Sequence, residues 1–181
     1  KATGLDFQES QLEDDFQKLS DVLLRNSSAT FLYRDFQSRN VMIKDGEPYF
    51  IDFQGGRKGP VYYDVASFIW QAKAKFPEDL RQELLSDYLD ALRTFIPVDE
   101  AYFRSQLKHF ILFRTLQVLG AYGFRGYFEK KPHFIQSVPF AINNLRQLLH
   151  DDYPEYPYLS TVLRKLTGLK QFSDDIQKRM L

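Results

Sequence analysis

Residues 31–53, FLYRDFQSRNVMIKDGEPYFIDF, decide how this chain is read. Three short runs, Phe31-Leu32-Tyr33, Val41-Met42-Ile43 and Tyr49-Phe50-Ile51, have strand composition. Asp45-Gly46 between the last two is a strong short hairpin signal, because both residue types tolerate the positive φ of a two-residue turn. The stretch therefore predicts strand, polar loop, strand, turn, strand. Three polar side chains hold fixed places on this frame: Asp35 follows the first strand, Asn40 comes five residues later, and Asp52 ends the last. Such a set suits phosphoryl transfer, which needs a carboxylate beside the attacking hydroxyl and oxygen ligands holding Mg²⁺ against nucleotide phosphates. Asp35 would accept the hydroxyl proton, with Asn40 and Asp52 as metal ligands. The plain alternative makes Asp35 and Asn40 turn formers and Asp52 a strand-end cap. An Asp and an Asn five apart recur by chance in many chains. A further acid seventeen residues after the first, across a hairpin of suitable length, favours the chemical reading.

At 181 residues the chain fits a single domain with a substantial core. Its 44% hydrophobic and 16% aromatic content excludes a disordered chain. Lys plus Arg equals Asp plus Glu at 24 each, so no bulk field draws it to nucleic acid or an anionic membrane. No apolar run reaches the roughly 18 residues of a membrane span. The absence of cysteine removes disulfides and thiolate metal sites and agrees with a cytoplasmic location. His109, His133 and His150 are scattered and suggest no metal cluster. The chain opens at Lys1 with neither a Met nor a signal-like segment, as a piece of a longer protein would.

Around the frame the pattern is helical. Residues 5–26 carry Leu12, Phe16, Leu19 and Leu23 on one stripe, and Ser10 with Glu13 is a candidate capping box that would start the helix there. Residues 54–60, QGGRKGP, match neither glycine-rich phosphate-loop pattern and read as a short activation-type loop whose Arg57 and Lys58 either meet phosphate or, the favoured reading, lie in solvent. Lys44 reads as a surface lysine. Asp64 is placed as the N-cap of a helix burying Val65, Phe68, Ile69 and Ala72. Pro77 opens a helix that turns Leu80, Leu84, Tyr88, Leu92 and Phe95 inward; Pro97 stops it and Asp99 caps the next. That next helix, residues 99–123, is nearly all apolar after His109 and is predicted to lie in the core. Arg114 and Gln117 share one of its faces, either in an ion pair with an acid of a neighbouring helix or at a substrate pocket. Residues 123–131 form a basic, aromatic connection, and 135–150 a helix starting near Ser137 and Pro139 with Ile142, Leu145, Leu148 and Leu149 inside. The last helix carries Leu159, Val162, Leu163 and Leu166 and ends at Gly168, with a frayed tail from Gln171. The fold class is α+β, mostly α: one small β-hairpin region among about seven helices.

Tyr33-Arg34-Asp35-Phe36-Gln37-Ser38-Arg39-Asn40 resembles the kinase catalytic loop H-R-D-x-x-x-x-N, and Ile51-Asp52-Phe53 resembles the D-F-G metal-binding segment. Tyr33 stands where most kinases have a His that serves mainly as a structural prop. Over nearly its whole length the layout is similar to the C-terminal lobe of the aminoglycoside phosphotransferase and choline kinase superfamily. Leu32-Tyr33-Arg34-Asp35-Phe36, Ile51-Asp52-Phe53-Gln54, Gly59-Pro60 and Tyr63-Asp64-Val65-Ala66-Ser67 look like a bacterial branch that phosphorylates N-acetylmuramate and N-acetylglucosamine. Residues 113–120, FRTLQVLG, are similar to a further segment of that branch. Gly55 departs from it, since an acidic residue usually follows D-F-Q there, and this bears on sugar specificity more than on chemistry.

The resemblance implies a protein-kinase-like C-terminal lobe, with residues 1–181 as a single domain whose hairpin region carries the catalytic loop. It implies ATP and Mg²⁺ as cofactors and transfer of the γ-phosphate to a hydroxyl of a small molecule, an amino sugar before others. Asp35, Asn40 and Asp52 are then the catalytic residues, Asn40 and Asp52 on the metal. Arg34, Gln37, Gln54 and Arg114 are candidate substrate-binding residues, and Asp64 supports the loop. The smaller β-rich N-terminal lobe of the superfamily, with its nucleotide-gripping lysine, finds no counterpart in residues 1–30. The chain is therefore expected to need that lobe as a partner and to be inactive without it. A nucleotide and a sugar-like acceptor are expected partners; nucleic acid and membrane are not. Two alternatives stay open: a non-catalytic pseudokinase module, which Tyr33 and Gly55 would suit, and an aminoglycoside- or choline-type kinase sharing the same chemistry.

Overall fold

A computed structural model describes residues 4–27 and 29–172 and shows two antiparallel strand pairs among seven α-helices in that range. The strands are β1 (Thr30–Leu32), β2 (Val41–Lys44), β3 (Glu47–Phe50) and β4 (Arg57–Gly59). The helices are α1 (Glu9–Leu24), α2 (Tyr62–Ile69), α3 (Glu78–Arg93), α4 (Glu100–Gly123), α5 (Pro132–Ile135), α6 (Val138–Leu148) and α7 (Pro157–Thr167). The chain divides into two compact units, one formed by Leu23–Arg114 and the other by described residues on either side of it.

In the first unit Asp45 and Gly46 take φ of 53° and 84°, the two positive values a tight hairpin needs. They close β2 onto β3 in the register Val41↔Phe50 to Lys44↔Glu47, with Lys44 exposed as expected. Ile51 falls outside β3. Residues 54–60 are not wholly loop: β4 pairs with β1, Thr30 opposite Gly59 and Leu32 opposite Arg57. The pairing depends on glycine, because a Cβ at Gly59 would lie 2.8 Å from Cβ of Leu32. Arg57 and Lys58 are exposed on that strand.

Aromatic packing holds the helices of this unit. Tyr62 lies 4.7 Å from Phe103 and 5.0 Å from Phe110, and Tyr88 lies 6.0 Å from Phe103. Such pairs add roughly 0.5–1.5 kcal/mol each beyond their burial. The Tyr88 hydroxyl donates to the Val61 carbonyl at 2.7 Å, and burial pushes its pKa up to about 12. The buried face of α3 is turned from the predicted one: Arg81, Leu85 and Leu89 are buried, Leu80, Leu84, Tyr88 and Leu92 half-buried, and Phe95, past the helix end, is 83% exposed. A guanidinium occupies the apolar side because Arg81 sits 5.8 Å from the Trp70 ring centre, a cation–π contact. Asp99 caps α4 as expected, its carboxylate accepting the Tyr102 N–H at 3.0 Å.

Only part of α4 is core. Phe103, Leu107, His109 to Leu112 and Thr115 are buried, whereas Leu116 to Gly123 are half-buried or exposed. Beyond Thr115 the helix belongs to the second unit, where Leu119 and Tyr122 pack on the cluster of Val138, Ile142 and Phe172. One face of those turns is used, so their apolar composition overstated burial. The expected connection after Gly123 is a π-helical turn, Phe124–Phe128. The helix expected over 135–150 is two, α5 and α6, and α6 buries Ile142, Leu145 and Leu148 with Leu149 just beyond it. Gln171 and Phe172 end a 3₁₀ turn, Lys170–Phe172, with Phe172 buried rather than frayed. The remaining tail lies outside the described residues.

In α1 the predicted stripe holds at Leu19 but Phe16 is exposed, and the helix starts at Glu9, one residue before the proposed capping box. Asp15, 2% exposed, takes the inner place. Its Oδ2 accepts the Tyr158 and Leu159 N–H groups at 2.8 and 2.9 Å, and Lys18 reaches Oδ1 at 2.8 Å. Asp15 thus caps the N-terminus of α7 across the sequence, where Tyr156 provides no side-chain cap. Burial pulls the Asp15 pKa upward, but Lys18 and the two N–H groups outweigh it and leave it below the usual carboxylate range.

Candidate active site

Asn40 joins the two predicted acids. It closes a 3₁₀ turn, Ser38–Asn40, and is only 5% exposed. Its side-chain Nδ2 donates to the Asp35 carbonyl at 2.9 Å, while its own carbonyl accepts the Ile51 N–H at 3.0 Å. The first bond fixes the loop after β1, and the second fixes the segment that leads from β3 into Asp52. Asp35 and Asp52 are both exposed.

Strain accompanies each acid. Arg34, just before Asp35, has φ 75°, and Asp52 itself has φ 65°. A non-glycine residue in this region costs on the order of 1–3 kcal/mol and persists only where its surroundings fix it, a pattern that clusters at functional sites. For Arg34 the fixing group is Asp64. The carboxylate accepts the Tyr33 N–H at 2.5 Å and the Arg34 N–H at 2.9 Å, and the Arg34 guanidinium donates to the Gly55 carbonyl at 3.2 Å. Asp64 therefore does not cap its own helix. It is the third residue of α2, and its side chain turns back to the loop. Burial raises its pKa, offset in part by the two N–H groups and the positive charge of Arg114.

Arg114 stands behind this support. It is half-buried, donates to the Tyr63 hydroxyl at 2.7 Å, and lies 4.7 Å from the Tyr63 ring centre. Its engagement with Tyr63 and its charge acting on Asp64 are close to the ion-pair alternative read from sequence. Gln117 is exposed. The two glutamines that follow the acids repeat one arrangement: Gln37 Nε2 donates to Asp35 Oδ1 at 3.1 Å, and Gln54 Nε2 to Asp52 Oδ1 at 2.6 Å. Each bond orients a carboxylate through one oxygen. Tyr33 is half-buried, and its hydroxyl donates to the Ile51 carbonyl. Its pKa is raised by burial and then by the charges of Asp52, Asp35 and Asp64.

Two supporting residues escaped the sequence reading. Phe36 stacks on Phe68 of α2 at 4.7 Å and lies 6.0 Å from Phe50, so it anchors the loop beside Asp35. A lone aromatic within an otherwise polar R-D-F-Q-S-R-N run was the available signal. Gln71 accepts the N–H and the hydroxyl of Ser38 at 3.1 Å each, and nothing in its sequence context marks it. An apolar groove of about 430 Å³ is lined by Phe31, Tyr33, Pro48, Tyr49, Phe50 and Phe53, the last of them next to Asp52 in the chain.

No cluster of three or more His, Cys, Asp or Glu able to hold a metal occurs among the described residues. One carboxylate and one amide oxygen fit Mg²⁺ that arrives with nucleotide phosphates, since Mg²⁺ keeps waters and takes few protein ligands. Asp52 and Asn40 are such a pair, hard oxygen donors throughout.

A model of the phosphotransferase enzyme family matches residues 3–101. The chain belongs to this family. The matched residues contain Asp35, Asn40, Asp52 and Asp64, and Arg114 lies outside them. The chain is 30% identical over 170 residues to an N-acetylmuramate/N-acetylglucosamine kinase of Neisseria meningitidis, covering 91% of this chain and 50% of that protein. Kinases of the same name from Pseudomonas aeruginosa and Pseudomonas putida are each 29% identical, over 68% and 75% of this chain and 38% and 42% of theirs. The chain thus spans about half the length of the curated relatives it matches. Among the described residues of this phosphotransferase-family chain, no helix is long and apolar enough to cross a membrane.

Proposed function

We propose that this chain carries the acceptor-activating and metal-binding half of an ATP- and Mg²⁺-dependent kinase that phosphorylates a hydroxyl of an amino sugar. The observation that carries the reading is Asn40, whose side chain and backbone connect the acid placed for proton acceptance to the acid placed for metal. The relatives' substrates favour an amino sugar over the aminoglycoside and choline alternatives.

Asp35 takes the proton of the attacking hydroxyl on the carboxylate oxygen that Gln37 leaves open. Asp52 and the Asn40 amide oxygen would hold the metal, with Gln54 setting the Asp52 carboxylate. The chemistry Mg²⁺ would supply there is neutralisation of charge developing on the phosphates. Asp64 keeps Tyr33 and Arg34, and so Asp35, in place through their N–H groups. Arg34, Gln37, Gln54 and Arg114 remain the candidates for substrate contact. The exposed apolar side chains Phe31, Tyr49, Phe50 and Phe53, which line the groove, offer a surface for the nucleotide base and for an N-terminal lobe closing over it. A cytoplasmic location, where ATP is supplied, belongs to the same reading.

The test is phosphate transfer to N-acetylglucosamine and N-acetylmuramate by the intact protein, compared with its Asp35→Asn variant. Loss of kcat by about 10²–10⁴, with sugar affinity kept, is expected of a removed general base. A variant keeping most of its turnover removes Asp35 from the mechanism. Wild-type protein that binds Mg²⁺-ATP without transferring phosphate moves the chain to the non-catalytic alternative.

A further inference from the structure

We infer that Gln54 restricts this site to a single divalent cation by occupying one oxygen of the Asp52 carboxylate. The inference rests on the phosphotransfer reading above and adds the number of ions to it. A carboxylate accepts hydrogen bonds and never donates them, so the contact between the two side chains has one sense: Gln54 Nε2 donates to Asp52 Oδ1, at 2.6 Å. A cation approaching Oδ1 therefore meets the positive end of an N–H dipole. Asp52 Oδ2 accepts no such bond among the described residues and is the oxygen left for a metal.

Asn40 supplies the other ligand, and its own hydrogen bond settles which end it offers. Its Nδ2 donates to the Asp35 carbonyl at 2.9 Å, which leaves the amide oxygen to face a cation. The donor set is then one oxygen from Asp52 and one from Asn40. That suffices for one Mg²⁺, which completes its shell with waters and phosphate oxygens. It is too little for two. Paired ions at such sites stand about 3.5–4 Å apart, where they repel strongly, and a carboxylate offsets the repulsion by giving one oxygen to each. With Oδ1 engaged, Asp52 cannot serve both. Asp35 does not replace it, because Gln37 Nε2 holds its Oδ1 in the same way at 3.1 Å and its other oxygen is needed for the acceptor hydroxyl. The described residues offer no group of three or more His, Cys, Asp or Glu that would house a second ion independently.

Gln54 and Asp52 are both exposed, so one substitution removes the bond without touching the core. The test counts Mn²⁺ on the intact protein, with a non-hydrolysable ATP analogue and protein in excess so that all nucleotide is bound. Mn²⁺ takes the same oxygen donors as Mg²⁺, and the paramagnetic resonance signal of the free ion measures what stays unbound. Wild-type protein is expected to hold one Mn²⁺ per nucleotide. Gln54→Met keeps the length of the side chain, removes the donor, and should double the uptake to two. Two ions on the wild-type protein overturn the inference. So does one ion on both proteins, since Gln54 would then exclude nothing, and so does loss of the first ion in Gln54→Met. Wild-type protein that takes up no Mn²⁺ with the nucleotide refutes the phosphotransfer reading itself, and the inference falls with it.

Discussion

Replacing Asp64 by Ala should loosen the acid loop more than any other single truncation outside the acids. The carboxylate accepts two backbone N–H groups, from Tyr33 at 2.5 Å and Arg34 at 2.9 Å. Hydrogen bonds to a charged group are worth about 1.5–3 kcal/mol each, giving an upper bound near 3–6 kcal/mol for the two. Two considerations lower that bound. Arg34 is exposed, so water can satisfy its N–H, and burial already raises the Asp64 pKa, which shows that part of the gain is offset by desolvation. About 2–3 kcal/mol remains, which for a chain of this size lowers Tm by roughly 4–12 °C. The sign with pH follows from the raised pKa. The linked stability is fullest below the unfolded value and declines as pH rises through the folded one, so the Ala deficit at pH 4 should be no smaller than at pH 7. Thermal unfolding at both pH values, with hydrogen exchange at the Tyr33 and Arg34 amides, measures all of this. Unchanged exchange at those two amides, or a Tm within about 1 °C of wild type, would refute the reasoning.

Asp52→Ala should abolish Mg²⁺-dependent nucleotide binding while the fold survives, because the side chain is exposed; calorimetric titration of ATP with and without Mg²⁺ reads it, and unchanged binding would put the metal elsewhere. Asp15→Asn should cost stability at neutral pH. The Asp15 pKa is depressed in the fold, so its contribution is present above the ordinary carboxylate range and lost as pH falls through the folded value. Denaturant curves for the two proteins should therefore converge towards acid pH, and a constant gap would refute the capping argument. Gly59→Ala should destabilise by about 1–3 kcal/mol through overpacking on Leu32, whereas a methyl at Gly55 meets nothing closer than 3.7 Å and should be near neutral; equal effects at both sites in urea unfolding would contradict the β1–β4 register.

The sequence alone determined the hairpin, the spacing of Asp35, Asn40 and Asp52, and the mostly helical remainder. These are local properties. Asp45-Gly46 closes a two-residue turn because of what its own residues tolerate, and candidate site residues five and seventeen apart are set by chain connectivity. The stripes of α6 and α7 were legible for the same reason, since helical period is written in consecutive residues. Partners distant in sequence were not legible. Asp64 read from its own neighbours as a local cap, and only the family resemblance gave it the loop-supporting role that the structure shows thirty residues away; Asp15, which no sequence pattern marked, caps α7. Nothing local distinguishes a carboxylate that faces water from one that meets orphan N–H groups of another segment, because both carry the same charge at the same helical phase. Burial of α4 was misjudged in the same way, its apolar second half using one face where composition allowed several. The left-handed backbone at Arg34 and Asp52 lies furthest from sequence, since neither residue prefers it. Bonds from Asp64, Asn40 and Tyr33, brought together by the tertiary fold, hold the segments that carry these two residues.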